Sequence, residues 1–272
     1  METPKITPFL RWAGGKSKLI SQIEQFVPDD IQKRKYLEPF LGAGSLFFRT
    51  QPTYGIISDL NSQLINCYSK IKERPDAVYD SLQKLTKNNG EDFYYLTREK
   101  FNRSNNTYIQ AARFIYLNKT CYNGLYRVNL KGNFNVPFGK INTPSILNYD
   151  SLKSISHLLK DIEIVSCSYQ SVLNNSKKGN FIYLDPPYPP LNKTAFFNSY
   201  TKDLFGINEQ IELANYANQM SKRGCLILIS NADTQEVRKL YKGWKIEKLN
   251  ITRWISCKTD RKKVDELIIR NF

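Results

Sequence analysis

The stretch that most constrains the fold is Phe181-Ile182-Tyr183-Leu184-Asp185-Pro186-Pro187-Tyr188-Pro189-Pro190. Four apolar or β-preferring residues in succession read as a short buried strand. The paired prolines stop it, because neither can donate a ladder hydrogen bond. An acid and an aromatic ring are thereby held at the strand's C-terminal end. In an open α/β sheet that end is where ligands bind, so a carboxylate, a backbone carbonyl and a ring fixed there predict a site. Asp-Pro-Pro also makes a good turn, and the rest of the chain decides between the two readings.

The strand belongs to an alternating pattern. Lys35 to Glu38 reads as a strand, and Pro39-Phe40-Leu41-Gly42-Ala43-Gly44-Ser45 as a glycine-rich turn into a helix through Leu46, Phe47 and Phe48. A second strand, Tyr54 to Ser58, ends in Asp59-Leu60-Asn61. The turn is F-x-G-x-G, shorter than a dinucleotide fingerprint, which predicts a tight bend under a smaller ligand; an acid about twenty residues onward suits ribose hydroxyls. Asp59 serves equally well as a cap for the helix Gln63 to Lys72. Ahead of these strands, Gly15-Lys16-Ser17 imitates the end of a phosphate-binding loop, but Leu10 stands where that motif needs glycine. Trp12 and Lys16 still offer a stacking face and a cation, and a helix from Ser17 to Phe26 follows. The alternation resumes late in the chain with a helix Tyr149 to Leu159, a strand Ile162 to Val165, a helix Ile207 to Ser221, a strand Cys225 to Ser230 and a helix Gln235 to Tyr241. Trp244 to Leu249 and Val264 to Arg270 read as a closing antiparallel pair. Leu191 to Phe205 lacks periodicity and reads as a mobile loop beside the site.

Between Ser62 and about Ser145 the alternation is interrupted by helical patterns, Asp76 to Leu85, Asp92 to Phe101 and Tyr108 to Lys119. A hairpin loop follows within Tyr122 to Gly139, signalled by Asn-Gly and Lys-Gly turn pairs. Forty Lys and Arg against 25 Asp and Glu leave a net charge of +15, as expected of a chain that neutralises phosphates. The charge is concentrated here: no acid lies between Glu99 and Asp150, where Lys100, Arg103, Arg113, Lys119, Arg127, Lys131 and Lys140 are basic. Arg127 suits a guanine edge, Asn123 or Asn129 an adenine edge or a phosphate, and Tyr122 a wedge between bases. Lys258 to Lys263 forms a further basic patch for a phosphate contact.

The 41% hydrophobic content predicts a globular protein. No run of about twenty apolar residues spans a membrane and no apolar signal-peptide core opens the chain, so a cytoplasmic location is expected. Five scattered cysteines without a C-x-x-C pair and the single His157 disfavour a metal site and histidine-dependent nucleophilic catalysis.

Taken in order, Arg11-Trp-Ala-Gly-Gly-Lys16, Glu38-Pro-Phe-Leu-Gly-Ala-Gly44, Asp59-Leu-Asn61, Tyr122-Asn-Gly-Leu-Tyr-Arg127, Phe134-Asn-Val-Pro-Phe-Gly139, Asp185-Pro-Pro-Tyr188, Ser230-Asn-Ala-Asp233 and Arg261-Lys-Lys-Val-Asp-Glu266 resemble the Dam family of DNA adenine-N6 methyltransferases, with the motif order of its α group. The resemblance implies a Rossmann-like, S-adenosylmethionine-dependent α/β fold, with residues 1–61 and 146–272 as catalytic domain. Residues 62–145 would be an inserted, largely helical target-recognition domain with its β-hairpin loop. It implies double-stranded DNA as substrate, GATC as target sequence and S-adenosylmethionine as cofactor. Asp185, Pro186 and Tyr188 are then catalytic. Trp12, Lys16, Asp59 and Asp185 bind the cofactor, with the turn carrying Phe40, Gly42 and Gly44 beneath it. Arg11, Tyr122, Asn123, Leu125, Arg127, Asn129 and Pro137 face DNA, Arg11 reading a flanking guanine. Asn192 and Phe196 depart from the family pattern, which has serine and asparagine there.

The chemistry agrees. An exocyclic amine conjugated to a purine is a poor nucleophile, because its lone pair is delocalised into the ring. Two acceptors for its N–H bonds, the Asp185 carboxylate and the Pro186 carbonyl, localise that pair toward a methyl donor. Adenine in a duplex must first be flipped out, with Tyr188 as the stacking platform. Cytosine N4, RNA adenine or a protein glutamine amide suit the same chemistry, and a non-catalytic DNA-binding module is the alternative from another class. A cognate restriction endonuclease as functional partner stays open.

Overall fold

A computed structural model describes residues 6–104, 107–141, 143–188, 205–249 and 265–272. Residues 191–204 of the predicted loop Leu191 to Phe205, Asn192 and Phe196 among them, and the basic patch 258–263 lie outside the described residues.

The strands are β1 (Tyr36–Glu38), β2 (Gly55–Ser58), β3 (Ile162–Val165), β4 (Phe181–Leu184), β5 (Leu226–Ala232), β6 (Lys245–Leu249) and β7 (Glu266–Arg270). They form a seven-stranded sheet in the order β3-β2-β1-β4-β5-β7-β6. β1 to β5 pair in parallel, and β7 runs antiparallel to both β5 and β6. β1, β2 and β4 are buried along their whole length, as expected of a parallel sheet covered on both faces. Side chains alternate between two cores. Tyr36, Ile57, Phe181, Tyr183, Leu228 and Ile268 pack into one, and Leu37, Ile56, Ile182, Leu184, Ile227, Ile229, Leu267 and Ile269 into the other.

The helices are α1 (Ile20–Ile23), α2 (Ser45–Thr50), α3 (Ser62–Glu73), α4 (Pro75–Lys87), α5 (Glu91–Asn102), α6 (Tyr108–Thr120), α7 (Tyr149–Leu158), α8 (Tyr169–Asn174), α9 (Ile207–Lys222) and α10 (Gln235–Leu240). Their starts are chemically specified. The side chains of Asn61, Thr107, Asn148 and Thr234 accept first-turn N–H groups of α3, α6, α7 and α10, and Pro75 opens α4. Buried residues of α1 to α7 join the core on the Tyr183 face, and those of α8 to α10 join the other. α6 is buried nearly all round and packs on α3, α4 and α5.

Three local differences from the sequence reading have physical causes. The helix expected over Ser17 to Phe26 is regular only at Ile20–Ile23, continuing as a 3-10 turn over Glu24–Phe26; ahead of it the Leu19 N–H closes a turn on the carbonyl of buried Lys16 at 2.8 Å. α8 has no counterpart in the sequence reading; it is six residues long and, unlike α10 of equal length, no side chain caps its first turn. The hairpin pairs through isolated bridges, Cys121 with Phe138 and Val128 with Phe134, rather than continuous strands. Its second arm is instead tied to α5: Asn102 donates to the Phe134 carbonyl (3.0 Å) and accepts from the Phe134 N–H (2.8 Å), while Tyr94 and Arg98 donate to the Val136 carbonyl (2.8 and 3.1 Å).

Candidate active site

Strand periodicity of two places four polar side chains on one face at one edge of the sheet. Tyr36 and Tyr183 point into the core on the α6 side, so Glu38 and Asp185, two residues onward, share that face. By the same rule Ser230 follows Leu228, and Glu266 precedes Ile268 on the reversed strand. β1 and β4 are neighbours from which the sheet extends in opposite directions, so this edge is a topological switch point, where open α/β sheets bind ligands.

Lys16, only 2% exposed, enters this cluster from the N-terminal arm. Its ammonium donates to Asp185 Oδ1, lies 3.4 Å from Glu266 Oε1 and reaches the Gly14 carbonyl at 3.3 Å. It also sits 5.0 Å from the centre of the Tyr188 ring, within the range of a cation–π contact. The Tyr188 hydroxyl donates to Glu266 Oε1, and Ser230 Oγ donates to Asp185 Oδ1 at 2.9 Å. Both donors to the Asp185 carboxylate therefore use one oxygen. Among the described residues, neither Oδ2 nor the Pro186 carbonyl accepts a hydrogen bond. Gln210, fully buried, donates to the Pro187 carbonyl (3.0 Å) and accepts from the Asn231 amide (2.9 Å), fixing the path of the chain out of β4. Burial pushes the Glu38 carboxyl up to about 8, with Asp185 and Asp59 acting the same way against the Tyr36 hydroxyl that donates to it at 2.8 Å. Glu38 is thus mostly protonated at neutral pH.

The glycine turn lies on the other side of β1. Gly42 and Gly44 have φ of +49° and +66°, which glycine adopts without the Cβ penalty. A Cβ on Gly42 would come within 2.8 Å of Trp12 Cδ1, so the indole lies directly against the turn. Trp12 in turn stacks on Tyr126 with centroids 5.3 Å apart. Asp59 Oδ2 accepts the Gly42 N–H (3.0 Å) and Oδ1 the Asn61 N–H (2.9 Å). Burial raises its pKa, opposed by those N–H groups. Phe40 diverges from these residues, packing with Tyr169 (5.4 Å) and Phe205 (5.7 Å) against the opposite-face core.

The acid-free basic segment meets the N-terminal arm through Asn118. Its side chain accepts the Arg11 N–H (2.9 Å) and donates to the Arg11 carbonyl (2.7 Å) and the Gly124 carbonyl (3.3 Å). Arg11, Tyr122, Asn123 and Arg127 are exposed, and Leu125 is half-buried. Asn123 takes a left-handed φ of +53°. The Arg127 guanidinium donates to Asn135 Oδ1 (2.8 Å) and to the Asn135 carbonyl (3.3 Å). Asn129 Oδ1 accepts the Lys131 and Asn133 N–H groups, both at 3.0 Å, and so shapes the loop's tip. Exposed Pro137 accepts the Tyr122 N–H at 2.9 Å. Burial and the Arg11 charge both lower the Lys119 pKa.

The D12 class N6 adenine-specific DNA methyltransferase family matches residues 12–255 of the chain. The chain belongs to this family. The type II methyltransferase M.MjaIII of Methanocaldococcus jannaschii is 40% identical, the alignment covering 98% of this chain and 100% of that protein. The type II methyltransferase M1.LlaDCHI of Lactococcus lactis subsp. cremoris is 34% identical over 98% and 96%, and the DNA adenine methylase of Escherichia coli K12 is 37% identical over 96% and 93%. Membership makes the protein an adenine-specific DNA methyltransferase with the Rossmann-like α/β fold its strand order displays.

Within this D12 methyltransferase, Lys16, Asp185 and Tyr188 are brought into one cluster, with Trp12, Gly42 and Asp59 in a second group around the turn. Arg11 and the Tyr122 to Arg127 loop meet at Asn118. Sequence reasoning missed Asn118 and Gln210, and gave Tyr126, Ser230 and Glu266, which lie in the motifs it quoted, no role of their own. The period-two pattern of β5 and β7 could have placed Ser230 and Glu266 on the Asp185 face.

No helix among the described residues is long and apolar enough to cross a membrane, and no group of three or more His, Cys, Asp or Glu there could hold a metal ion.

Proposed function

We propose that the protein transfers the methyl group of S-adenosylmethionine to the N6 amine of an adenine flipped out of duplex DNA, within GATC. The observation that carries this is the Asp185 carboxylate, held through Oδ1 by Lys16 and Ser230 while, among the described residues, Oδ2 and the Pro186 carbonyl accept no hydrogen bond. Two acceptors on consecutive residues beside the Tyr188 ring match an amine with two N–H bonds on a flat base.

The residues suit S-adenosylmethionine. The left-handed turn at Gly42 lays its backbone against the Trp12 indole, and each Asp59 oxygen keeps a lone pair for a ribose hydroxyl beyond its one backbone bond. One ammonium between two carboxylates, Lys16 with Asp185 and Glu266, complements the zwitterionic amino-acid end. When bound, this cofactor supplies a methyl group activated by its sulfonium. The chain's own groups do the rest. Asp185 Oδ2 and the Pro186 carbonyl accept the N6 hydrogens and draw the nitrogen lone pair out of the ring; Tyr188 offers its face to the extruded base; the protonated Glu38 keeps further negative charge out of the cluster.

The division of labour follows the chain. Residues 1–61 and 146–272 form the catalytic part. Residues 62–145 recognise DNA, with Arg11, Tyr122, Asn123, Leu125, Arg127, Asn129 and Pro137 as the contacting set. The test is incubation with labelled S-adenosylmethionine and duplexes altered at each base of GATC, followed by identification of the methylated nitrogen. Label at adenine N6 in intact GATC duplex alone is expected. Label at cytosine N4, in RNA or in protein instead of DNA overturns the proposal.

A further inference from the structure

We propose that Ser230, oriented by Tyr183, is a positioning residue for methyl transfer, fixing the Asp185 carboxylate so that Oδ2 faces the target amine. The inference rests on the reading of Asp185 as the acceptor for N6.

The direction of the hydrogen bonds follows from valence. An ionised carboxylate only accepts, so the single hydroxyl hydrogen of Ser230 goes to Asp185 Oδ1 at 2.9 Å. Ser230 Oγ and the Tyr183 hydroxyl are 2.9 Å apart, and with the serine hydrogen committed, Tyr183 must be the donor. Burial, first, and the nearby Asp185 charge raise the Tyr183 pKa far above the usual range, so it keeps its proton. The chain Tyr183 to Ser230 to Asp185 is therefore polarised in one sense, toward the carboxylate.

The geometry is built by the sheet. β4 and β5 are parallel with Tyr183 opposite Leu228 and Leu184 opposite Ile229, so Ser230 falls next to Asp185 on the same face. Ser230 is fully buried and Tyr183 nearly so, and Ser230 also pairs with Ile268 of β7, leaving the hydroxyl no freedom to wander. Lys16 is a different kind of anchor. Its ammonium sits on a flexible stem and is shared among Asp185, Glu266 and the Gly14 carbonyl. With Lys16 alone, the carboxylate can tilt about its Cβ–Cγ bond and turn its outer oxygen away from the amine. Ser230, rooted in a strand, holds the carboxylate plane.

The test uses single-turnover methylation of a GATC duplex alongside equilibrium binding of S-adenosylmethionine and DNA. Ser230→Ala should slow the methylation step about 10- to 100-fold, the range for losing a hydrogen bond to a charged group, while both dissociation constants stay within about threefold, the spread allowed for context. Ser230→Thr, which keeps the hydroxyl, should recover most of the rate. Tyr183→Phe, nearly equal in volume, should slow the step less than Ser230→Ala, and the double variant should be no slower than Ser230→Ala alone, because Tyr183 acts only through Ser230. If Ser230→Ala does not fold, the Tyr183→Phe rate and binding carry the same test. A wild-type rate in Ser230→Ala, or in a folded Tyr183→Phe when Ser230→Ala fails, overturns the proposal, as does a loss confined to binding. Wild-type protein that methylates no adenine would instead sink the reading of Asp185 itself.

Discussion

Arg11 lies against Gly124: a Cβ at Gly124 would stand 2.3 Å from Arg11 Cδ and 2.6 Å from Arg11 Cβ. The N-terminal arm and the loop of the basic segment therefore touch through a side chain and a bare backbone, and Asn118 bonds to both. Two candidate DNA-reading segments far apart in sequence are locked as one surface.

Gly124→Ala should break that lock. Its φ of +64° makes alanine cost about 1–2 kcal/mol from backbone strain alone, and the clash reaches Arg11 Cβ, which cannot swing aside as a side-chain tip does. Lower stability in urea, with weaker binding of GATC duplex at conditions where the variant is folded, is expected.

Arg127→Ala should relax sequence choice at one base pair by about 1–3 kcal/mol if the guanidinium leaves Asn135 to pair with a guanine edge. Comparing kcat/KM across duplexes substituted at each position reads this directly. An equal loss on every duplex would make Arg127 a phosphate contact.

Binding should weaken steeply with salt, since Lys131 and its neighbours carry no acid between them. Replacing exposed Lys131 at the loop's tip by alanine should reduce the slope of log K against log salt by about 1 if it neutralises one phosphate. An unchanged slope places Lys131 off the DNA.

Glu38 sets a pH dependence of stability. Its folded pKa of about 8 lies above the ordinary 4.5, so the folded state holds a proton that the unfolded state has released between those values. Stability from this group is complete below about 4.5 and falls as pH rises toward 8, by at most about 1.4 kcal/mol per pH unit. Glu38→Gln, which still accepts from Tyr36, should flatten the decline; urea unfolding at pH 6 and pH 8.5 measures it.

What was legible in the sequence was whatever a single segment decides. The run Phe181 to Leu184 and the following prolines fixed β4 and the place of Asp185, and apolar spacing located α3 to α7 because each spans ten residues or more. What was not legible depends on register between distant strands. Ser230 and Glu266 lie in quoted motifs, but their place beside Asp185 emerges only when β5 and β7 are set beside β4. Asn118 looks like a polar residue within a helix until its buried amide meets Arg11 and Gly124. The hairpin arms looked like strands, yet Asn102, Tyr94 and Arg98 of α5 take the carbonyls that a partner strand would use.

The central claim is that Asp185 accepts the target amine. Asp185→Ala, assayed for methylation of adenine N6 in a single turnover beside a DNA-binding titration, tests it most directly. Loss of methyl transfer with duplex binding largely retained is the expected result. Turnover at the wild-type rate would contradict it.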